Sequence, residues 1–180
     1  MYKIYLVILV LLCLTNTVGA QSAKLRCVET TKISDDDKND PVLIKTCYFK
    51  NYKFVTISNP DGVGRYFPEN EEHEVFIKFH GKYIKTKYSS LFNNKENELL
   101  DTINKRIHEE YRKNSTSAES KDCFTDIDSI PNWYKMDDLE ISFEGNKICF
   151  SVAFGLTAVC RYVDGAIIEF KFGDIVKYFK

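Results

Sequence analysis

Residues 139–152 read LEISFEGNKICFSV. Leu139, Ile141 and Phe143 alternate with polar neighbours, Glu144-Gly145-Asn146 supplies a turn, and Ile148, Phe150 and Val152 resume the alternation. A period of two on both sides of a turn predicts an antiparallel hairpin with one buried face. Upstream, Leu99, Leu100, Ile103, Ile107 and Tyr111 recur at three- and four-residue steps. That stripe predicts one amphipathic helix from about Lys95 to Tyr111, capped by Asn93 with Glu96 as reciprocal partner. The polar run Lys113–Lys121 then predicts a surface loop. Working outward, segments rich in Val, Ile, Phe, Tyr and Thr predict further strands at 25–33, 42–49, 52–58, 74–79, 83–87 and 166–172. Asn59-Pro60-Asp61-Gly62 is a strong turn signal, and Asp174–Phe179 reads as a closing helical turn. The fold class that follows is α+β, an antiparallel sheet with one main amphipathic helix packed on it, in a single domain over residues 21–180.

The first twenty residues are of a different kind. Lys3 is followed by an apolar run from Ile4 to Leu14, and then by Thr15-Asn16-Thr17-Val18-Gly19-Ala20. A charge, a short apolar stretch and a small-residue exit predict an export signal, residues 1–20, cleaved after Ala20. The run is too short to span a bilayer, which takes about 20 apolar residues, and no later stretch is apolar enough to do so. The chain has 25 Lys and Arg against 26 Asp and Glu. With so even a balance there is no electrostatic footprint for nucleic acid. The expected location is secreted or extracellular, with the periplasm or the cell surface as the alternatives.

Cysteine usage agrees with export. Cys13 leaves with the signal, and Cys27, Cys47, Cys123, Cys149 and Cys160 remain. Local spacing favours Cys27 with Cys47 and Cys149 with Cys160, leaving Cys123 free or paired between chains. No CxxC spacing occurs, so neither a zinc ribbon nor a thioredoxin-type site is expected. His73, His80 and His108 show no metal-ligand spacing. Asp35, Asp37 and Asn39 start like a calcium loop, but Asp40 stands where the turn glycine belongs and Thr46 where the bidentate Glu belongs. No metal and no cofactor are expected. No GxSxG motif is present. A nucleophilic Cys123, or a carboxylate pair, is the enzymatic alternative. A surface structural protein linked through Cys123 is a third reading. Asn114-Ser115-Thr116 is a glycosylation sequon. The lone tryptophan lies in Ile130-Pro131-Asn132-Trp133-Tyr134, where Trp133 and Tyr134 are either partner-binding aromatics or a plug at the sheet edge.

From Glu74 onward the order is strand, Gly81-Lys82 turn, short strand, Ser89-Ser90-Leu91-Phe92 bend, helix, loop and hairpin. The chain then runs through Val163-Asp164-Gly165 to Ile175-Val176-Lys177-Tyr178-Phe179. Over roughly residues 75–180 this resembles the extracytoplasmic C-terminal domain of the anti-sigma factor RsiV, also found with some peptidoglycan deacetylases and in a secreted mycobacterial antigen. A serine or threonine followed by Leu-Phe precedes the helix in that family, as Ser89-Ser90-Leu91-Phe92 does here. The resemblance implies a domain that recognises a protein rather than one that catalyses, with lysozyme as the model partner. The expected function is a secreted, non-catalytic protein that binds an extracellular protein partner, lysozyme or another host or cell-wall component.

Overall fold

The computed structural model describes residues 24–33, 41–58, 71–125 and 133–180. The export segment, the Asp35–Asp40 turn, the Asn59–Gly62 turn and Ile130–Asn132 lie outside them. The described chain forms β1 (Arg26–Ile33), β2 (Pro41–Phe49), β3 (Tyr52–Ser58), β4 (Glu71–Phe79), β5 (Lys82–Lys85), α1 (Glu96–Thr116), β6 (Glu140–Glu144), β7 (Lys147–Val152), β8 (Ala166–Lys171) and α2 (Phe172–Ile175). The class is α+β, as expected, but the strands divide into two antiparallel sheets. One is a five-stranded meander in the order β1-β2-β3-β4-β5, and the other is three-stranded in the order β6-β7-β8. The predicted hairpin is β6-β7, with Ile141 opposite Phe150 and Phe143 opposite Ile148. Its turn holds Gly145 at φ +55, a conformation that costs glycine little.

The two sheets share one core. Phe49, Tyr52, Phe54 and Val75 come from the five-stranded sheet, and Ile141, Phe143, Ile148, Phe150 and Ile168 from the smaller one. Leu99, Ile103 and Ile107 of α1 close it, so the apolar stripe read from the sequence is the packed face. Arg106 fixes α1 on β8: its guanidinium donates to the Glu169 carbonyl at 3.0 Å and lies over the Phe170 ring.

Phe179 lies at the centre. Its ring meets Phe49 at 5.2 Å, Phe54 at 6.5 Å, Phe92 at 4.9 Å and Phe172 at 6.1 Å. The backbone around it is bonded to the stretch before α1. Asn93 N–H donates to the Tyr178 carbonyl and Lys180 N–H to the Leu91 carbonyl, at 2.8 and 2.9 Å.

Two local expectations are corrected. Asn93 accepts from the Lys95 N–H at 2.9 Å, and its side-chain amide donates to the Lys177 carbonyl. It is therefore spent on an Asx turn and a long-range tie, and no side chain caps α1, which begins beyond it with Lys95 in the cap position. The helix also runs on through the expected loop to Thr116, because residues 112–116 contain neither Gly nor Pro to stop it. Asn114 therefore stands half-buried in its last turns.

Phe179→Ala opens a cavity among the rings of Phe49, Phe54, Phe92 and Phe172. It is expected to cost about 3–5 kcal/mol of unfolding free energy, read from urea midpoints followed by circular dichroism.

Candidate functional site

On strands β1 to β4, alternate side chains face the core. At one end these are Cys47, Phe49, Tyr52, Phe54 and Val75, all buried. Further along the same face the chemistry changes, to Glu29, Leu43, Lys45, Thr56, Ser58, Glu71 and His73. The three-stranded sheet turns its non-core face to this polar end, presenting Glu140, Ser142, Glu144, Cys149 and Glu169. Between them lies a cleft of about 500 Å³, to which Asp138 and Asp164 also contribute. Seven carboxylates line it against Lys45 and His73.

The bases are already engaged. Lys45 pairs with Glu29 at 3.3 Å. The His73 side chain is only 4 % exposed, and its Nε2 stands 3.4 Å from Glu71 and 3.6 Å from Glu140, so it touches carboxylates of both sheets. Its Nδ1 hydrogen-bonds the Thr56 hydroxyl at 3.3 Å. Ser58 Oγ donates to Glu71 at 2.7 Å. Hydrogen bonding to His73 holds the Glu71 carboxyl below its ordinary range, against the opposing effect of burial, with Ser58 assisting. Asp138 and Asp164 are held by backbone N–H groups: Lys135 donates to the first, and Phe154 and Leu156 to the second. Cleft acidity therefore exceeds what its own bases neutralise.

Cys149 lies on the cleft side of β7, opposite Ser142 and Glu169. Burial pushes its thiol pKa up, and the charges of Glu169 and Glu144 push it further. Both effects disfavour the nucleophilic thiolate. The Cys149 sulfur and the Glu144 and Glu169 carboxylates lie within 4.8 Å of one another. The Lys147 ammonium already sits on Glu169, so a metal ion there has to displace it.

The disulfide expectation is half corrected. Cys27 pairs with Cys47, at directly opposed positions of β1 and β2. Cys160 pairs with Cys123, not with Cys149, and Cys149 is the free cysteine among the described residues. Sequence spacing misleads here because a strand points Cys149 into the cleft, while the helical turns 121–124 and 158–163 bring Cys123 and Cys160 together. Tyr162 reinforces this junction, its hydroxyl donating to the Glu119 carbonyl at 3.1 Å. With Cys123 oxidised, it is neither the nucleophile of the enzymatic alternative nor the bridge of the surface-structural one.

Trp133 is 50 % exposed, whereas Tyr134 is buried. The Tyr134 backbone is clamped by Asn104, a fully buried residue of α1. Tyr134 N–H donates to Asn104 Oδ1 at 2.8 Å, and Asn104 Nδ2 donates to the Tyr134 carbonyl at 3.0 Å. Only Trp133 of that pair presents its ring to solvent, and neither residue lines the cleft. The cleft was hidden from sequence reasoning because its residues come from seven strands. The one available signal was the run Glu71, Glu72, His73, Glu74.

No family model, curated protein or solved structure matches this chain. No helix among the described residues is long and apolar enough to cross a membrane.

Two outcomes follow. Peptide mapping without reduction should recover Cys27–Cys47 and Cys123–Cys160, with Cys149 alkylated by iodoacetamide only after unfolding. Recovery of a Cys149–Cys160 peptide would overturn the assignment. For Glu71, a lowered folded value means its contribution is complete above the ordinary carboxyl value of 4.5 and is lost as pH falls through the folded one. Glu71→Gln should therefore be less stable than wild type near neutral pH, and the gap should narrow as pH falls below the ordinary carboxyl value in urea titrations.

Proposed function

We propose that this is a secreted, non-catalytic binding protein, and that a basic segment of an extracellular protein partner seats in the acidic cleft. The carrying observation is the charge imbalance of the cleft, seven carboxylates against Lys45, His73 and, at the cleft edge, Lys147 on Glu169, all already paired. Clefts lined by one sign of charge concentrate opposite charge and speed its capture. Two disulfides support an oxidising compartment. The disfavoured ionisation of Cys149 supports binding over thiol chemistry. The resemblance to the RsiV-type domain supports a protein as the ligand, and lysozyme, a basic protein, suits the cleft in charge. Lysines or arginines of the partner would meet Glu140 and Glu144 at its wall, with Trp133 outside the cleft.

Calorimetric titration with a c-type lysozyme is the direct test. Binding should be stoichiometric, weaken as salt screens the charges, and fall by about tenfold or more with Glu144→Lys, a loss of at least ~1.4 kcal/mol. Absence of binding both to lysozyme and to a polylysine probe would remove the cleft from the reading.

A further inference from the structure

The other face of the five-stranded sheet is the reverse of the first. Where the cleft side carries Lys45, Thr56, Ser58 and His73, the outward positions next to them are Ile44, Val55 and Ile57. Antiparallel sheets with one solvated face normally place polar residues there. Val28, Tyr48 and Tyr83 on this face are 42 %, 36 % and 37 % exposed. The rings of Tyr48 and Tyr83 meet at 6.2 Å, although they belong to β2 and β5. Between them stands Lys53, its ammonium 4.1 Å from the centre of the Phe76 ring and 5.2 Å from that of Tyr83. The charge here is positive, from Arg26, Lys32, Lys53, Lys78 and Lys85 against Glu72 and Glu74, and Lys85 is paired with Glu74.

We propose that this face is a second docking surface, and that its occupant is an acidic protein segment bearing aromatic or aliphatic side chains. Charge complementarity selects the occupant. A second copy facing it would oppose like charges. An acidic chain brings carboxylates to Lys53, Arg26 and Lys78. The apolar side chains Val28 and Val55, which flank Thr46, and Ile44 opposite Ile57 in the next row need apolar partners, which a protein segment supplies and a sulfated sugar chain lacks. A cation held over aromatic rings is already partly desolvated and poised to accept a carboxylate. The surface is on the opposite side of the sheet from the cleft and does not depend on the reading given to the cleft.

The test uses the purified protein with three immobilised probes: a random glutamate–tyrosine copolymer, polyglutamate of equal length, and heparin. The copolymer should bind about tenfold or more tighter than polyglutamate. Tyr83→Ala should abolish that advantage, and Lys53→Glu should weaken both by a similar factor. Lys105→Glu, on the exposed side of α1, should leave both unchanged. Circular dichroism checks folding, and Lys78→Glu replaces Lys53→Glu if the latter does not fold. Failure of the copolymer to bind would overturn the proposal. So would equal losses in the Lys105 variant, which mark net charge alone, or preference for heparin, which marks a polysaccharide surface.

Discussion

The rest of the architecture hangs on one aromatic cluster, Phe54, Phe143, Phe172 and Phe179, that joins two sheets sharing no strand. Neither sheet alone can bury its apolar face: the three-stranded one is too small, and the five-stranded one is apolar over only part of its inner side. Phe54 of the larger sheet meets Phe143 of the smaller one at 4.8 Å, and Phe172 and Phe179 pack beside that pair, so the aromatic cluster makes the two partial faces into one core. Main-chain bonds to Leu91 and Asn93 fix the position of Phe179, and they also set where the helix starts. That explains why Asn93 is unavailable as a cap. Its side chain is committed to holding the segment that carries Phe179.

A core of this extent leaves the far ends of β1 to β4 without apolar cover, and the cleft forms there. The polar face of the small sheet, which in an isolated hairpin would meet only water, instead meets the polar end of the larger one. His73 then acts as a joint, with a carboxylate from each sheet on its Nε2. Lys45 and Lys147 neutralise Glu29 and Glu169, and the remaining negative charge faces outward into the opening. What lines the opening is fixed carboxylates, a thiol whose ionisation burial disfavours, and backbone-held Asp138 and Asp164.

What could be read from the sequence was what is local. The β6-β7 hairpin follows from alternation about a Gly-Asn turn, and α1 from a single stripe. Most strands sit where their Val, Ile and Phe content places them. The division into two sheets was not legible, because alternation specifies which face is buried and not which strand lies alongside. The disulfides split along the same line. Cys27 and Cys47 lie on neighbouring strands, so spacing found them. Cys123 and Cys160 meet only because tertiary structure brings two helical turns together. Trp133 and Tyr134 are adjacent in sequence yet separate into an exposed ring and a buried one, the latter set by Asn104, thirty residues away.

The inversion of polarity along the five-stranded sheet carries a cost in register. A strand whose inward residues are uniformly apolar resists a one-residue slip, because slipping would expose all of them. Strands β1 and β2 lose that protection at the cleft end, where a slip would bring Val28 and Ile44 inward at little penalty. The Cys27–Cys47 bond joins directly opposed positions on one face. Displacement by one residue would send the two sulfurs to opposite sides of the sheet. The bond thus serves as an index mark, fixing by covalent geometry an alignment that hydrophobicity alone leaves loosely determined.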